Sequence, residues 1–427
     1  MSAAPPAPRM RRDIAWNFGA LAATAGAGGI ITMMIAAGMG AAALGVFAQL
    51  YAVHVIAAQA AAFGIHDSTQ KHVAGREGAP DAPILAGALV MVALAGVLAA
   101  ALLAAGAARL GSLAGSADVR AGLYLVAPGI LFFALNKVLF GAINGRGQLR
   151  RYALMQLLRA GLVLAAAAAI VLPGLPVYTV GGIFTAAELV LLPCLLLAVR
   201  PGRAAPRECR AWARRHVAFG GRGLVNGILL ETHLRVDVLA LSYFAADRAI
   251  GIYAFAMLFA EAVYQVPVVI RTVAYPTLVQ LAGRGDRAAT ASRIRRFSLA
   301  GGAACAMAAL AVAMSYPLIA SRFDAAFLQG VAALQILLAG MTVYAFFVPF
   351  DQLLLQSGLP GRQSVLMALY VGINVVLNIM LIPQHGLVGA ALATALALVS
   401  AAALLLAASW IWLGYRGTVL FYRAPAA

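Results

Sequence analysis

Nine ionisable side chains fall inside long apolar runs: Lys137, Arg159, Glu188, Glu231, Arg235, Asp237, Glu261, Arg271 and Asp351. A charge in such surroundings costs a few kcal/mol or more unless it is paired or hydrated, so each is a functional candidate by default. Three and four residues from Lys137 lie Phe133, Ala134, Phe140 and Gly141, and around Arg159 lie Met155, Gln156, Leu162 and Val163. Neither cation finds an acid on its own helix. Each must reach a carboxylate on another helix, water or an anionic ligand, and for Lys137 the expected carboxylate is Glu188. Glu231 and Arg235 are four apart, as are His233 and Asp237, which predicts that each pair shares a helical face. The two pairs are offset by two residues, roughly 200°, so they cannot both face one cavity. Arg235 is the cation of this group expected in a cavity, with neutralisation by Glu231 as the alternative. Glu261, four residues before Gln265, is a candidate for coupling to a proton or sodium ion, or else bridges to a neighbouring helix. Other chemistries lack their parts. Cys194, Cys209 and Cys305 have no metal-ligand spacing, and no nucleotide loop, nucleophile triad or metal cluster is present.

The elements that must carry these residues follow from composition. The chain has 427 residues, 63% apolar and only 11% charged, with a formal net charge of +17 and a mean hydropathy of +0.92. Soluble domains are about a quarter charged, so there is too little polar surface to cover a water-exposed globule. The composition argues against a soluble enzyme. The basic residues lie in short clusters between apolar runs rather than in one compact patch, which argues against nucleic acid. A spanning helix needs roughly 20 mainly apolar residues. Twelve such runs are predicted, near 14–36, 43–65, 84–105, 123–143, 152–172, 178–199, 223–244, 249–273, 298–319, 329–355, 364–382 and 388–412. They are too long and too little alternating for a strand barrel. The first is too long for a signal peptide and is followed at once by another span.

Positive charge resists translocation, so loop arginines and lysines set the orientation. With the N-terminus inside, 23 of the 31 basic residues fall on the cytoplasmic side and four, Arg109, Arg120, Arg248 and Arg322, on the other. Both termini are therefore expected in the cytoplasm. Arg159 then lies in the cytoplasmic third of its span, where it can snorkel, and Arg271 near the inner end of its own. Seven arginines between Arg200 and Arg222, with Pro201, Gly202, Pro206 and Trp212, read as a loop followed by a short basic amphipathic piece on anionic headgroups.

An internal repeat decides the architecture. Leu44 to Ala48 opens the second run and Ile250 to Ala254 the eighth, at an offset of 206 that also places Gln59 on Gln265. Pro173, Gly181 and Thr185 parallel Pro383, Gly389 and Thr394 at offsets of about 208 to 210. The expectation is an all-α integral membrane protein of about twelve spans in two six-helix lobes, related by a pseudo-two-fold axis along the membrane normal. The predicted division is a cytoplasmic N-terminus (1–13), an N-lobe (14–199), a basic linker (200–222), a C-lobe (223–412) and a cytoplasmic C-terminus (413–427).

These residues also carry a resemblance. Arg235 to Leu241, then Ile250 to Ala254 and Tyr275-Pro276, resemble the seventh and eighth spans of bacterial polysaccharide and O-antigen flippases of the multidrug/oligosaccharidyl-lipid/polysaccharide (MOP) exporter superfamily. Asn374 to Asn378, Leu381 to Pro383 and Gly386 to Thr394 are similar to that family's eleventh and twelfth spans, and Asn17 and Leu44 to Phe47 fit its first two. The resemblance covers essentially the whole chain. It implies a two-lobed transporter in the bacterial inner membrane that moves an undecaprenyl-pyrophosphate-linked oligosaccharide from the cytoplasmic to the periplasmic leaflet. Such a cargo needs cations in the cavity, which makes Lys137, Arg159, Arg235 and Arg271 the substrate-binding candidates, with Glu231, Asp237 and Glu261 for ion coupling. Implied partners are the lipid-linked oligosaccharide, anionic lipids at the cytoplasmic loops and a polysaccharide polymerase, with the chain itself a monomer and no nucleic acid. No cofactor is expected beyond a coupling proton or sodium ion. Ion-coupled multidrug export within the superfamily and, from another class, a membrane polysaccharide polymerase or ligase stay open. The latter would need a large external catalytic loop, and no external loop here much exceeds 17 residues.

Overall fold

Hydrocarbon offers backbone groups no partner, and a helix satisfies every N–H and C=O within its own segment. The computed structural model of the chain describes residues 8–75, 81–232, 235–283, 286–415 and 420, and the regular elements among them are helices. In chain order they are α1 (Pro8–Ala62), α2 (Ile65–Ala74), α3 (Ala82–Leu113), α4 (Ala117–Gly145), α5 (Leu149–Val171), α6 (Gly182–Val199), α7 (Pro206–Thr232), α8 (Val236–Phe244), α9 (Asp247–Gly283), α10 (Arg287–Ala320), α11 (Val331–Ala345), α12 (Leu353–Gln356) and α13 (Pro360–Leu413). Short 3-10 turns precede α6 and α11.

Nine helical stretches among the described residues are long and apolar enough to cross a bilayer. Two of the helices hold two predicted spans each. The 54 residues of α13 would measure roughly 80 Å as one straight helix, against a hydrocarbon layer of about 30 Å. Gly386 resolves the mismatch at φ 56°, ψ −131°, a backbone conformation closed to side chains. Beyond it the chain reverses, so that a Cβ on Gly389 would collide with the Leu381 carbonyl. Gly40, at φ 83° and ψ −177°, interrupts α1 in the same way. The seventh predicted run departs from expectation, because α7 ends at Thr232 and α8 starts at Val236.

The described chain divides into two compact units, Met1–Glu231 and Thr232–Ala427. In the first, α4 is central and packs on α1, α2, α3 and α6. With lipid as apolar as leucine, close packing rather than water exclusion holds such helices together, and small residues let backbones approach. Gly141 shows this: a Cβ there would sit 2.6 Å from the His66 carbonyl, so only glycine lets α2 lie this close to α4. The basic stretch begins as a loop over 200–205 and continues into a helix from Pro206. Its later part forms the first turns of α7, whose inner face seats Trp212, Ala213, His216 and Gly220 in the first unit while Arg207, Arg210, Arg214 and Arg215 stay exposed. His216 bonds Ser68 Oγ at 2.8 Å and the Ile84 carbonyl at 3.0 Å. In the second unit, Ala274, Leu278, Ile294, Phe350, Leu353 and Leu405 share one core. On α10, Met307, Leu310, Met314 and Leu318 are each about two-thirds exposed or more, an apolar stripe suited to hydrocarbon.

Candidate functional site

Helical periodicity gathers the first unit's polar residues. On α4, Phe133, Asn136, Lys137 and Phe140 recur at three and four residues and share one side. On α5, Tyr152, Gln156 and Arg159 do the same. With Glu188 of α6, His66 and Gln70 of α2 and Glu231 of α7, they enclose a cavity of about 300 Å³.

Glu188 anchors its wall. Its side chain is wholly buried, and Oε1 accepts from Arg159 Nε at 2.6 Å and Nη2 at 2.5 Å. Asn136 Nδ2 donates to Oε2 of the same carboxylate at 2.7 Å and to the Glu188 backbone carbonyl at 2.8 Å. The expected Lys137–Glu188 pair is therefore replaced by an Arg159–Glu188 pair. Consecutive residues on a helix point about 100° apart; on the cavity side of α4, Asn136 takes the edge that meets Glu188 of α6, and Lys137 the edge that meets Gln59 of α1. The Lys137 ammonium donates instead to Gln59 Oε1 on α1. It also lies 5.5 Å from the centre of the Phe133 ring, which the Arg159 guanidinium approaches at 4.9 Å. Arg159 is pinned by its carboxylate rather than reaching for the interface.

His66, outside the spans, has its pKa lowered to about 4, first by burial and next by the nearby Lys137 charge, with Asp67 opposing. It is a neutral imidazole at physiological pH.

In the second unit each embedded cation is paired. Arg235 Nη1 lies 3.7 Å from Glu261 Oε1, and Arg271 Nη1 lies 2.7 Å from Asp351 Oδ2. The single helix on which Glu231 and Arg235 were expected to pair is not continuous: α7 ends at Thr232, Arg235 caps α8, and Glu231 lines the first unit's cavity. His233, the predicted partner of Asp237, lies outside the described residues. Asp237 is 3% exposed, and its Oδ2 accepts from the hydroxyls of Tyr253 at 2.6 Å and Thr394 at 2.9 Å. On α13, Asn378 donates to the Asn374 carbonyl at 3.0 Å, and both amides are buried. Among the described residues, no three His, Cys, Asp or Glu side chains gather as a metal site would require.

Sequence reasoning singled out the charges and passed over Asn136, Gln156 and His66. The signal was present in the i, i+4, i+7 polar stripe of Tyr152, Gln156 and Arg159 within an otherwise apolar run.

No family model matches the chain. A probable flippase, AglR of Haloferax volcanii, is 23% identical over 207 residues, 47% of this chain and 41% of its own length. The match thus spans well under half of that relative. Among solved structures, the lipid II flippase MurJ in an inward closed conformation aligns with a TM-score of 0.74 at 13% identity, over 91% of this chain and 86% of its own. An inward-facing multidrug-resistance MATE transporter of the MOP superfamily aligns at 0.70 and 14% identity, over 88% and 91%. The chain has the fold of the MOP superfamily transporters.

Proposed function

We propose that this chain is a flippase that carries an undecaprenyl-pyrophosphate-linked oligosaccharide from the cytoplasmic to the periplasmic leaflet of a bacterial inner membrane, by alternating access between its two units. The observation that carries this reading is Lys137: an ammonium within a span, on the wall of a polar cavity, bonded to an amide rather than to a carboxylate. An ammonium so placed is available to the headgroup's phosphates, whose lost hydration it replaces. Arg159, Arg235 and Arg271 already have carboxylate partners, so they contribute to binding only where the cargo competes for those pairs. The lipid tail stays in the bilayer while the headgroup passes, and the basic loops draw the anionic headgroup and anionic lipids to the cytoplasmic side. A polysaccharide polymerase would take up the delivered unit.

The driving ion would act at a buried carboxylate. Asp237, with two hydroxyls bonded to one oxygen, is better enclosed for a proton or monovalent cation than Glu261 or Glu231. Multidrug export is the second reading, favoured by the MATE transporter's comparable structural likeness and by the two carboxylates, Glu188 and Glu231, in the cavity. The test is export of surface polysaccharide by cells relying on this chain, with ethidium extrusion measured in parallel. Lys137→Ala should cut export at least tenfold at unchanged protein level, and Lys137→Arg should keep most of it. Normal export by Lys137→Ala, or ethidium extrusion with no polysaccharide phenotype, would remove the flippase reading.

A further inference from the structure

Gln59 stands between Lys137 and α7. An ammonium only donates, so the amide oxygen is the corner that meets Lys137, and the nitrogen is left for another neighbour. That neighbour is α7: a Cβ added at Gly227 would sit 2.7 Å from Gln59 Nε2. Two turns earlier on the same face of α7, Gly220 lies against the Phe63 carbonyl, and a Cβ on Gly64 would come within 3.1 Å of the Gly220 Cα. Phe63, at φ 48°, holds a left-handed conformation that a bulky side chain keeps only where its surroundings impose it. Its N–H bonds the Gln59 carbonyl at 3.3 Å. Glycines thus let α7 bear on the last turn of α1 at two points, the Phe63 backbone and the Gln59 side chain.

One turn beyond Gly227, Glu231 brings a carboxylate from α7 to the cavity that Lys137 lines. Its charge acts on Lys137 together with those of Asp67 and Arg159. The ammonium therefore has a neutral acceptor in place and a charged one on the same cavity, and α7 touches the first and carries the second. Bonded to the amide, Lys137 keeps its full charge for an anion; paired with the carboxylate, it is neutralised. Helix α7 ends at Thr232, where the second unit begins, so it is the covalent link along which a displacement of that unit reaches this contact. The repeat holds no second copy. Offsets of 206 to 210 carry Lys137 to residues 343–347, none of them a cation, and Gln265, the counterpart of Gln59, is exposed.

We infer that Gln59 is a positioning residue for Lys137 under the control of α7: seated as in this structure, α7 leaves Gln59 on the ammonium and the cation open to the headgroup's phosphates, and a shift of α7 that displaces Gln59 hands the ammonium to Glu231 and frees the bound anion. This switch rests on the proposed binding of the headgroup by Lys137. Lys71 and Lys137 are the chain's only lysines, so acetylation of the full-length protein in detergent by acetic anhydride, read by peptide mass spectrometry, reports Lys137 against the exposed Lys71. The reagent takes the neutral amine, and a carboxylate holds the amine's proton more firmly than an amide does. Labelling of Lys137 relative to Lys71 should fall about fivefold to tenfold in Gln59→Leu. It should fall in the same direction in Gly227→Ala, whose Cβ requires only the flexible end of Gln59 to move. Adding Glu231→Gln to either variant should return labelling to the wild-type level or above, a rescue that a packing role for Gln59 does not give. Wild-type labelling in either single variant, or a fall that Glu231→Gln does not reverse, overturns the switch. Protection of Lys137 by added pyrophosphate is scored separately on the wild-type protein. A fall that depends on Glu231 without such protection removes the phosphate role of Lys137 and leaves its exchange between Gln59 and Glu231; protection without the fall removes the switch alone.

Discussion

Replacing Arg159 by leucine tests whether the ion pair at the cavity wall is a fixed part of the first unit. Glu188 is fully buried, while the Arg159 side chain keeps 24% of its surface exposed. In Arg159→Leu the carboxylate retains only the Asn136 amide as its charge-facing partner, at 2.7 Å. Breaking a buried pair from one side costs about 3–5 kcal/mol, and the surviving amide bond with a cavity alongside places this case near the lower end, at about 3 kcal/mol. For a unit of this size each kcal/mol moves Tm by roughly 2–4 °C, so the expected drop is on the order of 6–12 °C. Glu188→Leu should cost less, about 1–2 kcal/mol, because the stranded guanidinium can reach water through its exposed edge. The double variant should lie within about 1 kcal/mol of Glu188→Leu, since no unpaired carboxylate remains, which gives a coupling of about 2 kcal/mol or more. Thermal unfolding of the detergent-solubilised protein, followed by tryptophan fluorescence to which the buried Trp212 of the first unit contributes, reads all three. A drop below about 2 °C in Arg159→Leu, or a double variant as unstable as the sum of the singles, would refute the reasoning.

The remaining expectations concern orientation, pH and the chain reversal. In a background lacking Cys194, Cys209 and Cys305, cysteines at the exposed positions Ser112 and Ala246 should react with an impermeant thiol reagent outside intact cells, while those at Ala205 and Ala288 should not; the opposite pattern reverses the orientation. His66 has a folded pKa of about 4 against 6.5 unfolded, so its contribution to stability is complete above about pH 6.5 and is lost as the pH falls towards 4. Tm should fall over that window by an amount that His66→Gln abolishes, and an unchanged pH slope in that variant would assign the loss to other groups. Gly386→Ala places a side chain at φ 56°, ψ −131° and should cost about 1–3 kcal/mol, read as a lower Tm; wild-type stability would mean that the reversal tolerates a different backbone.

Much of the fold was legible because its cause is local. The predicted runs 84–105 and 123–143 fall within α3 and α4, 152–172 passes the end of α5 by one residue, and 178–199 covers α6 with the 3-10 turn before it, since burying backbone in hydrocarbon requires internal hydrogen bonding whatever the neighbours are. Pro383, Gly386 and Gly389 even marked the reversal inside α13, because a backbone conformation barred to side chains leaves a glycine in the sequence. The end of α7 at Thr232 and the start of α8 at Val236 had no such mark: the run 223–244 reads as continuously helical, and the expected i, i+4 pairing of Glu231 with Arg235 depended on that. The charges were visible too, as side chains too costly to leave unmatched in lipid. Their partners were not. Lys137 and Asn136 are neighbours in sequence, and which of them meets Glu188 depends on the rotation of α4 against α6, set by close contacts such as that of Gly129 with Thr185. A cost of burial belongs to a residue and can be read along the chain. A partner belongs to the packing of helices 29 or more residues apart, and only the tertiary structure decides it.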